Sequence, residues 1–214
     1  MTGKLLMVAA LPVMAVAADA PAPAQVSTTQ TIPFTGAGTL RIERSSGEIH
    51  IQGWDRPEIE IVFSKSTYNP KARPRLDAIH VQADRHDNDV VISTPAPKHR
   101  DVQLDYEIHA PRNLALAIDH NKGGVYVTGI AGDIQAHVRD GQITLRLPED
   151  GVYSVQAKSR TGKVFSDFGG SEKFTWMFGD NFAKPADASK KLDLRIGFGD
   201  ILIFKTPYHP PASM

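Results

Sequence analysis

The chain contains no cysteine. That excludes disulfides, thiolate metal sites, a cysteine nucleophile and a lipid-modified N-terminal cysteine. An excess of one charge is missing too: 24 Lys and Arg balance 24 Asp and Glu. A balanced chain exerts no broad pull on nucleic acid or anionic lipid, so no nucleic-acid partner is expected. Beyond the first 18 residues no apolar run is long enough for a membrane helix, and an integral membrane protein is not expected. No glycine-rich phosphate loop, Gly-x-Ser-x-Gly elbow or His-Glu-x-x-His pair occurs.

What is present begins with an export signal. Lys4 precedes the apolar run 5–17, and small residues follow at Ala15, Ala17 and Ala18. This pattern predicts a secretory signal peptide over residues 1–18, cut after Ala17 or Ala18. An exported chain without cysteine suits a bacterial periplasm or cell envelope. Residues 19–31 begin Pro/Ala-rich and read as a flexible lead. Residues 32–205 read as one ordered domain, and 206–214 as a tail. Hydrophobic residues make up 41% of the chain, enough for a real core.

The ordered part repeats one phrase: a glycine, then alternating apolar positions. Copies start at Gly47, Gly124, Gly132, Gly141, Gly162 and Gly199. A repeated turn plus short strand predicts an all-β, single-domain, solenoid-like stack. An antiparallel β-sandwich is the alternative, since short strands with regular turns suit both. The predicted inward ladder is Val125 and Val127; Ile134, Ala136 and Val138; Ile143, Leu145 and Leu147; then Tyr153, Val155 and Ala157. The interval from Gly162 to Gly199 is close to two repeat steps. It holds an irregular excursion over residues 169–191.

The candidate chemistry is thin. Asp133, Asp180 and Asp200 each follow a glycine, where turns favour such residues. The Asp84–Asp89 tip lacks the spacing of a calcium loop. His50, His80 and His137 fall on outward positions, and the eight histidines are scattered. No catalytic residue, cofactor or metal is expected. The aromatic cluster Phe174, Trp176, Phe178 and Phe182 reads either as a cap on the stack or as a partner surface.

The opening Thr39-Leu40-Arg41-Ile42, the run Gly47-Glu48-Ile49-His50-Ile51-Gln52-Gly53-Trp54-Asp55, the glycine repeats and the closing Gly199-Asp200-Ile201-Leu202-Ile203 resemble the bacterial putative-adhesin family. The resemblance spans residues 32–205. It implies a β-solenoid-like exported domain with no catalytic motif. The expected function is a non-enzymatic scaffold or adhesin-like module that binds an envelope protein or glycan. The alternatives are a polysaccharide-acting β-helix enzyme and an envelope-stress component that binds a membrane protein.

Overall fold

The computed structural model describes residues 23–35, 38–93, 101–175, 179–187 and 190–207, excepting the side chains of 172–175. The strands are β1 (Ala24–Pro33), β2 (Thr39–Ser46), β3 (Glu48–Trp54), β4 (Glu58–Thr67), β5 (Gln82–His86), β6 (Asp89–Ser93) and β7 (Gln103–Pro111). They continue as β8 (Ala115–Thr128), β9 (Ile134–Pro148), β10 (Tyr153–Thr161), β11 (Val164–Ser166), β12 (Ser171–Thr175), β13 (Gly179–Lys184) and β14 (Lys190–Thr206). All 14 belong to one sheet. The proline-containing stretch after β4 holds a 3₁₀ turn (Pro70–Ala72) and a short helix, α1 (Arg73–Leu76).

Glycine explains the long strands. In β9 the buried side chains are Ile134, Ala136 and Val138 before Gly141, then Ile143, Leu145 and Leu147 after it. The alternation therefore slips by one residue. In a flat strand such a slip would send the second half's apolar side chains to the opposite face. Here both halves bury into one continuous core, so the chain turns a corner at the glycine. The same slip occurs in β8 at Gly123 and in β14 at Gly199. Gly47 joins β2 to β3, and Gly162 joins β10 to β11, in the same way. All five glycines have φ between +107° and +148°, a region that favours glycine.

Each bent strand is thus a layer with two arms around a shared interior. Layers pair in parallel and in register. In the first arm Val90, Leu40, Leu116, Ile134, Leu192 and Val155 form one apolar row. In the second arm Tyr106, Ile49, Val125, Ile143, Ile201 and Val164 form another. The predicted inward ladder is buried at every named position.

The order of layers departs from chain order. The sequence runs β2/β3, β6/β7, β8, β9, β10/β11, β14. In space β6/β7 lies outside β2/β3, and β14 lies between β9 and β10/β11. Gly162 and Gly199 are therefore neighbours, and the interval between them is one step rather than two. The extra residues include the hairpin β12–β13, which continues the first arm by antiparallel pairing with β10. The other end is closed by β4 and β1, both antiparallel. The flexible lead expected over 19–31 is corrected here: from Ala24 it is strand, its register fixed by Ile32 opposite Ile59.

Where the first arm reaches the corner, the interior row mixes polar and apolar residues: Ser45, His120, Val138, Ile196, Ser159. Ser45 Oγ lies 2.8 Å from His120 Nδ1, and both residues are buried. Burial pushes the His120 imidazole below its usual pKa, against the opposing pull of the Gly47 backbone and the Glu48 carboxylate. A neutral imidazole is thus favoured in the fold. Its stability contribution is full above about 6.5, the unfolded value, and is lost as pH falls from there toward the lowered folded value. Urea midpoints should therefore fall more between pH 7.5 and 5.5 for wild type than for His120→Asn. Parallel slopes for the two proteins would contradict this.

Candidate functional site

The ends of the second arms meet the starts of the next first arms along one edge of the sheet. Loops from several layers converge there on a groove of about 920 Å³. Its wall is built from layer ends held in line by parallel pairing, with Trp54 opposite Pro111. Trp54 donates from Nε1 to the Glu58 carbonyl at 2.8 Å. One side of its indole carries the His109 ring at a centroid distance of 5.2 Å, and the Arg56 guanidinium lies 4.9 Å from the ring centre. The indole thus holds Arg56 against the groove. Arg112 Nε donates to Asp55 Oδ1 at 3.0 Å, and Arg112 Nη1 reaches the Gly129 carbonyl at 3.4 Å. A Cβ at Gly129 would press on that guanidinium, so the small residue makes room for it.

Asp150, Tyr153 and Lys190 also line the groove. Tyr153 is fully buried, and its hydroxyl has no hydrogen-bond partner among the described residues. Burial, with the Asp150 charge added, pushes the phenol up to about 12. It therefore stays a neutral donor at physiological pH. Lys190 Nζ sits 5.9 Å from the same ring. The groove so combines three cationic side chains, two carboxylates and a buried phenol. It can orient a polar ligand. None of these residues was marked out by the sequence as a site residue; the available signal was that Gly53-Trp54-Asp55-Arg56-Pro57 and Ala110-Pro111-Arg112 both end layers.

The repeated acids do not converge. Asp133 accepts the Lys191 N–H at 2.8 Å, and Asp200 accepts the Lys163 N–H at 2.8 Å. Asp180 is buried and accepts the Val164 N–H at 2.9 Å, covering part of the β11 edge. Each acid ties one segment to the next and satisfies a backbone donor. The histidines are equally dispersed. His50 lies outward and stacks on Tyr126 at 4.7 Å. His137 lies outward between Asp119 and Arg195, while His80 lies in a loop before β5.

The aromatic cluster is divided. Phe182 is 3% exposed and packs inward opposite Ala157, so it is core and not a partner surface. Strand alternation in β13 puts Asp180 and Phe182 on the same inner face. Phe174 lies in β12 at the register position of Asp180, and its side chain falls outside the described residues. Trp176 and Phe178 also fall outside them.

The fold is shared with a solved structure, a putative cell adhesion protein from Clostridium sporogenes. The two are 15% identical, with a TM-score of 0.51, over 86% of this chain and all of that one. Putative adhesins from Bacteroides fragilis and Parabacteroides merdae overlap more loosely. The first is 12% identical over 85% of this chain and 98% of that one, with a TM-score of 0.28. The second is 8% identical over 83% and 77%, with a TM-score of 0.31. At those two scores the overlaps carry no argument. No family model and no curated protein sequence matches the chain. Among the described residues no helix is long and apolar enough to cross a membrane.

Proposed function

We propose that this chain is an exported, adhesin-like binding module of the cell envelope, without enzymatic activity. Its bent strands form a solenoid-like stack, and its ligand is a polar glycan or an envelope protein segment held in the edge groove. Cleavage after Ala17 or Ala18 releases the mature chain to the periplasm or cell surface. The observation that carries this reading is the groove itself. Trp54, Arg56, Arg112 and Lys190 stand on layer ends that rigid pairing holds in place, and a site built on rigid elements needs little ordering on binding. The repeated acids support a non-catalytic role, because glycoside cleavage needs two carboxylates facing one bond, and these face separate backbone donors.

The test is co-sedimentation of purified protein with peptidoglycan sacculi and surface plasmon resonance on immobilised lipopolysaccharide and envelope proteins. Arg56→Ala, at an exposed position of the groove, and Lys190→Ala, at a half-buried one, should weaken capture about tenfold each, the scale of one charge-assisted contact. Their melting temperatures should stay close to wild type. Capture unaffected by either change would remove the groove from the proposal. Release of reducing ends from a polysaccharide, abolished by Asp133→Asn or Asp200→Asn, would overturn the non-enzymatic reading.

A further inference from the structure

We propose a second ligand site on the outer face of the first arm: a phosphate-binding hollow over Gly197, clamped by Arg139 and Arg160. Ile196 and Phe198 pair with Val138 and Asp140 on one side and with Ser159 and Thr161 on the other. Gly197 therefore lies between Arg139 and Arg160 on adjacent strands. Those two arginines stand two strand spacings apart, roughly 10 Å. A Cβ at Gly197 would run into the Arg139 carbonyl, so this position must stay bare. The resulting hollow has a volume of about 430 Å³, and Arg195, His137 and the Asp119 carboxylate also line it.

Charge makes the hollow unusual. Arg195 and Lys158 are cross-strand neighbours in register, and on the other side of Arg195 stands His137, itself beside Asp119. Cations directly opposite one another destabilise a sheet. Asp193 answers only Arg195, through a two-pronged contact at 3.1 Å and 3.1 Å that fixes its guanidinium. Arg139 and Arg160 are exposed and have no ion pair among the described residues. His137 Nε2 is buried and has no hydrogen-bond partner among those residues. A bound anion would relieve the repulsion and supply the missing acceptors.

The chemistry favours phosphate over carboxylate. A carboxylate offers one charge and two oxygens. A phosphate monoester carries a charge of about −1.5 to −2 and three acceptor oxygens. That number suits the two free guanidinium forks of Arg139 and Arg160, which arrive from the strands on either side of β14. The same group is found on soluble phosphomonoesters and on the headgroup of phosphatidic acid. Phe198, 54% exposed beside the hollow, gives a lipid something apolar to meet.

The experiment is a titration of the full mature chain with inorganic phosphate, followed by amide NMR at constant ionic strength in chloride. Wild type should show saturable shifts centred on the Gly197 amide. In Arg139→Gln/Arg160→Gln the apparent Kd should rise at least about tenfold, while the melting temperature holds or rises as repulsion is removed. A purely structural role for the arginines would lower it instead. Flotation with phosphatidic acid vesicles, against phosphatidylcholine vesicles, separates the sources. Binding lost in the double variant identifies a lipid headgroup, and phosphate shifts without flotation identify a soluble phosphoester. Absence of saturable shifts, or equal shifts in the double variant, overturns the site.

Discussion

Gly199→Ala should unfold the stack or come close to it. Gly199 has a φ of +129°, and a Cβ there would overlap the Gly141 carbonyl oxygen of the next layer. Backbone strain alone costs about 1–3 kcal/mol. The overlap adds to it, because the obstacle is backbone and cannot rotate away. Nor can one layer yield independently. A Cβ at Gly141 meets the Gly123 carbonyl, one at Gly123 meets that of Gly47, and one at Gly162 meets that of Gly199. The glycines form a column in which each corner rests on the one beside it. A total of ~4–5 kcal/mol is expected, out of ~5–15 kcal/mol for a whole domain. For a chain of this size that lowers the melting temperature by ~8–20 °C. Gly169→Ala is the control, since nothing lies within 4 Å of a Cβ there and its φ is unremarkable. If thermal unfolding followed by circular dichroism gave the two variants the same midpoint, the column would have no structural meaning.

That column was legible as a repeat but not as a column. Spacing in the sequence identifies each glycine as a turn, and alternation around it identifies the buried rows. Both are local signals, and both agree with the structure from Val125 to Ala157. Which layer lies beside which is not local. β14 pairs with β9 and β10 through equally good apolar rows, and nothing in Leu192-Asp193-Leu194 distinguishes that from following β11. Distance along the chain was the only guide, and the hairpin β12–β13 made it mislead.

The same limit hid the groove. Trp54, Arg112, Tyr153 and Lys190 lie up to 136 residues apart and meet only because their layers stack. Phe182 was placed in the aromatic cluster for the opposite reason. The cluster's members are close in sequence, but strand alternation in β13 turns Phe182 into the core beside the acid that covers the β11 edge. At the N-terminus, Ser27 to Thr31 are all polar, with no apolar alternation to read. Their pairing with β4 depends on the apolar positions on either side, Val26 and Ile32.

Ile143→Asp tests the register of the whole stack. Ile143 is fully buried in the second-arm row, between Val125 and Ile201 in the neighbouring layers. Removing its side chain alone would cost ~2–5 kcal/mol, because a residue held between two layers leaves a cavity that cannot collapse. The new carboxylate adds several kcal/mol more. It would be buried with no cation in its row, and it would either stay desolvated or take up a proton. The sum approaches the ~5–15 kcal/mol that holds a domain together. The variant should therefore accumulate as insoluble or unfolded chain at 25 °C. Arg146→Asp changes an exposed position three residues along the same arm and should shift stability by no more than about 0.5 kcal/mol. Ile143→Val, which keeps the shape of the row, should cost ~0.5–1.5 kcal/mol and remain folded. Soluble yield and urea midpoint read all three. A folded Ile143→Asp with the midpoint of Arg146→Asp would mean that Ile143 faces water, and since one residue's slip reverses every side chain in an arm, the two-arm interior would fall with it.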